Sequence, residues 1–337
     1  MYDVITMGSA SVDVFVKTDC ELIDIKSNTS ERELIAYPLG SKILVKDLQF
    51  MIGGGGTNTA VSFSRLGLKT AYLGCIGNDD NGNKIIDLLE EEHVDFIGSK
   101  IKALSNYSVI LDSIESDRTI LTYRDASNKL QFENIDMRNL KTKWMYASSL
   151  TDESFTTLEH IACYAHEHNS KFAFNASSYL TKKGIKFIRN LLTKTDVLIL
   201  NKEEAMMLVG SGAEEYLLET LSWYGPDIVV VTSGKYGVSA LIDNKIYTAS
   251  AKRVLVKETT GAGDAFASGF VAGLIMNRDP KFCLLLGMNN AESVVQSYGA
   301  KNVLLTKEAA LKRVEDDDRV FTCYDFDKSQ SVYNEKI

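Results

Sequence analysis

Proline is nearly absent: 337 residues contain three, so no Pro-rich linker divides the chain. Cysteine and histidine are also scarce, at five and four. Cys20, Cys75, Cys163, Cys283 and Cys323 are scattered, odd in number and free of any CxxC pair. That excludes a zinc knuckle or a disulfide framework and leaves reduced core residues as the expectation. His166 and His168 fall in a helical pattern that turns them to different faces, with His160 elsewhere, so no metal site is expected there. The longest apolar run, near Ala265 to Met276, is too short to span a bilayer, and no basic leader precedes an apolar stretch at the N-terminus. A cytoplasmic protein without a membrane partner is expected. Basic residues are outnumbered, 37 against 45 acidic ones, for a net charge of −8; a nucleic-acid partner is disfavoured, although a local basic cleft is not. Neither glycine-rich stretch, at Gly53–Gly56 and at Gly261–Gly263, fits GxGxxG or GxxxxGK[ST]. A Rossmann dehydrogenase and a Walker NTPase are thereby disfavoured.

What the chain does contain is alternation. Strand-like runs occur at YDVITMG (2–8), AYLGCI (71–76), KWMYAS (143–148), KFAFN (171–175), VLIL (197–200) and IVVVT (228–232). Helical patterns lie between most of them, at 57–67, 80–92, 153–168, 182–192, 203–209 and 214–224. This rhythm predicts an α/β fold, a Rossmann-like, mostly parallel sheet sandwiched by helices, with ligands at the carboxyl ends of the strands. Two stretches interrupt it. Residues 14–52 carry short β-like runs (ELIAY, KILV) and no convincing helix, and 107–124 reads as a hairpin, YSVILDS then IESD then RTILTYR. Together they predict a small β lid on a main domain made of 1–13, 53–106 and 125–315. The acidic EDDDR at 315–319 and the remainder to 337 read as a solvated polar tail.

Four segments carry chemistry. In ETTGAGDAFASGF, Gly261 and Gly263 flank Ala262, Asp264 follows, and a small-residue apolar helix begins at once. A helix start of this kind offers unpaired N–H groups and the positive end of the macrodipole, an anion site. A carboxylate there either caps the helix or handles a proton beside the anion. Four consecutive glycines in IGGGGTNTA suit backbone laid against a ligand, with Asn58 in the first helical turn; a flexible hinge is the plainer alternative. VLILNKEEAM places Asn201 at a strand end and Glu204 one turn later, a pair able to face hydrated magnesium, although Asn201 is equally a plain helix cap. IVVVTSGKYGV ends a buried strand with Thr232, Gly234, Lys235 and Gly237 in a turn with exposed backbone.

Taken in order with Asp13 after the first strand and GNDDNG at 77–82, these segments resemble the ribokinase-like carbohydrate kinases, also called the phosphofructokinase B family, from about residue 2 to about residue 306. The resemblance implies ATP-dependent phosphorylation of a sugar or nucleoside hydroxyl. It assigns Asp264 as general base and the amides of Gly261, Ala262 and Gly263 as the anion hole for the transferred phosphoryl group. On the nucleotide side it places Asn201, Thr232, Gly234, Lys235, Gly237 and Thr260, with Glu204 organising Mg2+. On the acceptor side it places Asp13, Gly54, Gly55, Asn58 and Asn175; Arg124, on the expected lid, is read either as a contact for an anionic substrate group or, equally, as a solvated lid arginine. The family's usual Asp, which in potassium-activated members helps hold a monovalent cation, is replaced here by Glu258; weak or absent K+ stimulation is expected. Loose phosphoryl transfer needs positioning and charge neutralisation more than a strong base, so an aspartate suffices. A non-catalytic nucleotide-binding regulator would be expected to lose Asp264 or the paired glycines, and both are present. A small sugar such as ribose or fructose is the first expectation for the acceptor, a nucleoside the alternative, and homodimerisation through the lid edges suits an exposed small sheet.

Overall fold

The computed structural model describes residues 1–18, 21–26, 31–112 and 118–326. Its strands are β1 (Tyr2–Met7), β2 (Ser11–Thr18), β3 (Glu21–Lys26), β4 (Glu31–Ala36), β5 (Val45–Gly53), β6 (Thr70–Leu73), β7 (Cys75–Gly77), β8 (Asp95–Phe96), β9 (Ser99–Ile101), β10 (Asn106–Asp112), β11 (Arg118–Tyr123), β12 (Thr142–Ser148), β13 (Lys171–Asn175), β14 (Val197–Asn201), β15 (Ile228–Thr232), β16 (Val238–Ile242), β17 (Lys245–Ala249) and β18 (Phe321–Asp325). Its α-helices are α1 (Gly55–Arg65), α2 (Asp80–Glu91), α3 (Glu153–Glu167), α4 (Ser178–Thr181), α5 (Ile185–Leu192), α6 (Lys202–Val209), α7 (Glu214–Ser222), α8 (Ala262–Ile275), α9 (Pro280–Val294) and α10 (Lys307–Glu315).

Ten strands form the main sheet in the order β18-β17-β16-β15-β14-β13-β12-β1-β6-β8. From β15 to β8 the pairs are parallel, and β16, β17 and β18 add antiparallel strands at one edge. The predicted sandwich follows from side-chain alternation with both faces apolar. Phe172 and Phe174 point into one core with Leu158, Ile188 and Leu217, while Ala173 between them points into the other with Phe63, Phe270 and Leu284. Each of these buried Phe, Leu and Ile side chains stabilises the fold by about 1.5–3 kcal/mol. Parallel strands share one carboxyl edge: Ser148 pairs with Asn175 and Asn201 with Thr232.

A four-stranded sheet, β11-β10-β2-β5, stands apart from it. Its hairpin pairs Tyr107 with Tyr123, and the turn expected at IESD lies outside the described residues. Asp13 falls inside β2, so it belongs to the small sheet and not to the main domain where the expected boundary put it; Gly53 and Asn106 likewise belong to β5 and β10. ELIAY contributes to β4, which among the described residues pairs with β3 alone, and of KILV only Val45 enters a strand.

Three further expectations are corrected. AYLGCI is two strands, broken at Gly74, where a Cβ would meet the Tyr72 hydroxyl at 2.2 Å; β7 leaves the main sheet to pair with β9. The helix expected at 182–192 starts earlier and is interrupted at Gly184 between α4 and α5. The stretch from 316 to 326 is not a solvated tail, because β18 extends the main sheet and EDDDR is built into an ion-pair network. Asp317 and Arg319 pair at 2.8 Å with side-chain exposures of 0% and 5%, Arg319 also reaches Glu292 at 2.9 Å, and Lys252 reaches Asp317 at 3.1 Å. Residues 327–337 lie outside the described residues. Cys75 and Cys283 are core residues as expected, but Cys163 and Cys323 are exposed, and Cys20 is outside the described residues. No helix among the described residues is long and apolar enough to cross a membrane, and no three of His, Cys, Asp and Glu gather there as a metal cluster.

Candidate active site

The carboxyl edge of the sheet, the start of α1 and the start of α8 converge. Gly261 is the N-cap of α8 with φ 83°, in the left-handed region, and a Cβ on it would lie 2.3 Å from the Cβ of Ala300. Only glycine fits both demands. Asp264 stands in the first turn of α8, whose N-cap is Gly261, and its carboxylate makes no cap hydrogen bond there. Its Oδ2 instead accepts a hydrogen bond of 2.8 Å from Nδ2 of Asn58, on α1. Burial pushes the Asp264 carboxyl above the usual carboxylate range, and the Asn58 hydrogen bond and the charge of Lys301 act in the opposite direction.

The four glycines make room for this junction. A Cβ at Gly53 would fall 1.8 Å from Oδ2 of Asp13; at Gly54, 2.4 Å from the carbonyl of Ser9; at Gly55, 2.7 Å from the Ser148 hydroxyl and 3.4 Å from Oδ1 of Asp264. The glycine run is therefore a close-packed crossing of β1, β5 and α1, not a hinge. Asp13 is held by the Ser11 hydroxyl, which donates to its Oδ1 at 2.9 Å. Asn175 ends β13 beside Ser148. Arg124, just past β11, lies with its guanidinium 3.9 Å from the ring centroid of Tyr179 on α4, joining the small sheet to the main domain.

On the other side of Gly263 opens a cavity of about 270 Å³, lined among others by Asn201, Thr232, Gly234, Gly237, Ala262 and Gly263. A Cβ added at Gly263 or Gly234 would meet nothing within 4 Å. Residues from three separated segments thus face one space next to a helix N-terminus, an arrangement suited to a phosphate chain. Lys235, Thr260 and Glu204 do not line it. Lys235 lies over the Tyr236 ring at 5.3 Å. The Thr260 hydroxyl is buried without a hydrogen-bond partner among the described residues, immediately before the turn at Gly261. Asn201 and Glu204 form a reciprocal capping box, Asn201 Oδ1 accepting from the Glu204 N–H at 2.8 Å and Glu204 Oε2 from the Asn201 N–H at 3.0 Å. Burial raises the Glu204 carboxyl, against the lowering effect of the Asn201 N–H. Glu258 is 7% exposed, and its Oε2 accepts from the N–H of Gly299 at 3.1 Å. Lys252, one of the cations within reach in sequence, is engaged with Asp317 and Asp318.

Sequence reasoning missed two residues. Ser148 ends β12 and packs against Gly8 and Gly55, which its place at a strand end could have signalled. Lys301 is 6% exposed and donates to Ile52 O at 2.7 Å and to Asn58 Oδ1 at 2.5 Å. Nothing in the pattern around it marks a buried lysine.

The chain is similar in sequence and in fold to known kinases. The ATP-dependent 6-phosphofructokinase of Thermoanaerobacterium thermosaccharolyticum is 26% identical, over 97% of this chain and 95% of its own. The ribokinase of Bacillus subtilis is 26% identical over 91% and 97%. The structure of Arabidopsis thaliana ribokinase complexed with ribose and ATP superposes with a TM-score of 0.79 at 21% identity, covering 93% of this chain and 99% of that one, which shows the shared fold. The profile of the pfkB family carbohydrate kinases matches residues 17–307, most of the chain, and the protein belongs to that family.

Proposed function

We propose that the chain transfers the γ-phosphoryl group of ATP to a hydroxyl of a small sugar. The observation that carries this reading is the position of Asp264, hydrogen-bonded by Asn58 and set between the glycine-rich crossing and the cavity at Gly263. An acceptor hydroxyl beside Oδ1 of Asp264 gives up its proton to the carboxylate as its oxygen attacks. The amides of Gly261, Ala262 and Gly263 take the charge of the phosphoryl group in transit. Asp13, Gly54, Gly55 and Asn175 surround the acceptor side, and Thr232, Gly234 and Gly237 cradle the nucleotide in the 270 Å³ cavity. Thr260 and Lys235 stand outside that lining, Thr260 immediately before the turn at Gly261 and Lys235 between Gly234 and Gly237, from where they would approach a bound nucleotide.

Asn201 and Glu204 would hold magnesium through its hydration shell, and the ion would supply charge neutralisation on the phosphates. The fit is supported by Asn201 lining the cavity and by the half-buried Glu204 one turn later, whose carboxyl is pushed up by burial. The small sheet serves as a lid, and Arg124, fixed on Tyr179 where the lid meets the main domain, supports an anionic acceptor such as a phosphorylated sugar or a sugar acid. Leu48, Phe50, Ile120 and Leu121 are exposed on that sheet and support homodimerisation through it. The test is ATP-dependent ADP release with neutral sugars, sugar phosphates, sugar acids and nucleosides. Turnover of no sugar, or of nucleosides alone, would overturn the reading.

A further inference from the structure

Lys301 lies in none of the chemistry-bearing segments, yet it sits at the meeting point of β5, α1 and the first turn of α8. Its ammonium donates to Ile52 O and to Asn58 Oδ1. An ammonium has three donors and no acceptor, so the amide oxygen of Asn58 has to face it and the NH2 has to face away. The NH2 then meets Oδ2 of Asp264 at 2.8 Å. Because an NH2 brings only hydrogens, that contact is favourable when Oδ2 carries none. The order of polarity along Lys301, Asn58 and Asp264 is therefore set from the lysine end.

The lysine itself is firmly placed. Its carbonyl accepts from Nη1 of Arg65 at 2.7 Å, and Arg65 is paired with Glu92 at 2.5 Å. Its neighbours Gly299 and Ala300 bear on Glu258 and Gly261. The charged groups around the ammonium are Asp13, Asp264 and Glu92, which favour its proton, and Arg65, which opposes it; burial, the largest effect, brings it down to about 7.

From these contacts the geometry points to Lys301 as a positioning residue for phosphoryl transfer: it fixes the Asn58 amide so that Oδ2 of Asp264 is held and Oδ1 is left for the acceptor hydroxyl. The inference rests on the reading of Asp264 as the base. Oδ1 is the oxygen nearest Gly55, on the acceptor side. Without the ammonium the amide is free to turn over and present its own oxygen to Asp264. Two oxygens can then share that contact only if the carboxyl keeps a proton, and a protonated carboxyl is no base.

The experiment is a 13C NMR titration of aspartate-labelled protein, wild type and Lys301→Met, with the Asp264 signal assigned by its loss in Asp264→Asn. The expected result is an Asp264 carboxyl that titrates at higher pH in Lys301→Met. With MgATP and the better acceptor of ribose and fructose 6-phosphate, kcat falls on the order of tenfold to a hundredfold, KM for ATP is unchanged, and the acid limb of the pH profile moves up. In an Asn58→Ala background the same lysine substitution has a clearly smaller effect, left only with the direct loss of its charge beside Asp264. If Lys301→Met lacks the wild-type amide spectrum, Lys301→Leu, neutral and without a donor, is titrated in its place. An unmoved Asp264 titration in a folded variant, or losses that simply add in the double variant, overturns the inference. Full turnover in Asp264→Asn would instead remove the base assignment, so the two failures are told apart.

Discussion

Asn58 Nδ2 and Asp264 Oδ2, from side chains 206 positions apart in the chain, are joined by a hydrogen bond of 2.8 Å. The bond ties the start of α1 to the start of α8. It engages Oδ2 of Asp264 on the side of α1, while at the start of α8 the Ala262 N–H donates to the Thr259 carbonyl at 3.2 Å.

Replacing Asp264 by Asn should lower kcat by about a hundredfold or more while leaving nucleotide affinity nearly unchanged, since the amide has the same shape and cannot take the proton. Steady-state rates and nucleotide titration check it. A near-normal kcat would remove Asp264 from the chemistry.

Gly261 and Gly263 should respond differently to alanine. At Gly261 the methyl clashes with Ala300 and φ is 83°, so Gly261→Ala should destabilise the fold by about 1–3 kcal/mol. At Gly263 the methyl meets nothing, so thermal stability should hold while ATP affinity falls. Denaturation and nucleotide binding, measured on both variants, separate the two roles; equal stability losses would contradict this.

Glu204→Gln should raise the magnesium concentration needed for half-maximal rate without unfolding α6, because glutamine preserves the capping box and removes the charge. An unchanged magnesium titration would take Glu204 out of the metal site.

Potassium should stimulate the enzyme less than tenfold, equivalent to about 1.4 kcal/mol of transition-state stabilisation. The Glu258 carboxylate is directed to the N–H of Gly299, and its arm is longer by about 1.5 Å than that of aspartate. Initial rates at matched ionic strength, with and without potassium, decide the matter.

Asp317 should make stability acid-sensitive. Burial raises its carboxyl, but Arg319, Asn289 and Lys252 outweigh burial and hold it well below the usual range. Since the folded state binds this proton less readily than the unfolded chain, the contribution is present above about pH 4 and lost as pH falls below it. Asp317→Asn should cost about 3 kcal/mol near pH 7, and the difference from wild type should shrink in acid. A pH-independent difference in urea denaturation would speak against this network.

By itself the sequence determined the alternation of strand and helix, because apolar side chains repeating at two and at about 3.6 residues can be buried in only one way each. It also determined the glycine-rich helix starts, the Asn201–Glu204 pair and the turn at Gly234, whose chemistry is local: caps and close backbone approaches are decided within a few residues. Tertiary structure alone decided the rest. Local pattern called EDDDR solvent-exposed, but Arg319 and Lys252 bring Asp317 inside. A continuous apolar run made AYLGCI one strand, yet the Tyr72 side chain and Gly74 divide it between two sheets. Lys301 looked like any surface lysine, and only the packing of its segment against Asn58, Gly261 and Arg65 shows that its charge is buried. Burial and hydrogen-bond partners are properties of the whole packed chain, and contacts across hundreds of residues leave no periodicity for a sequence to display.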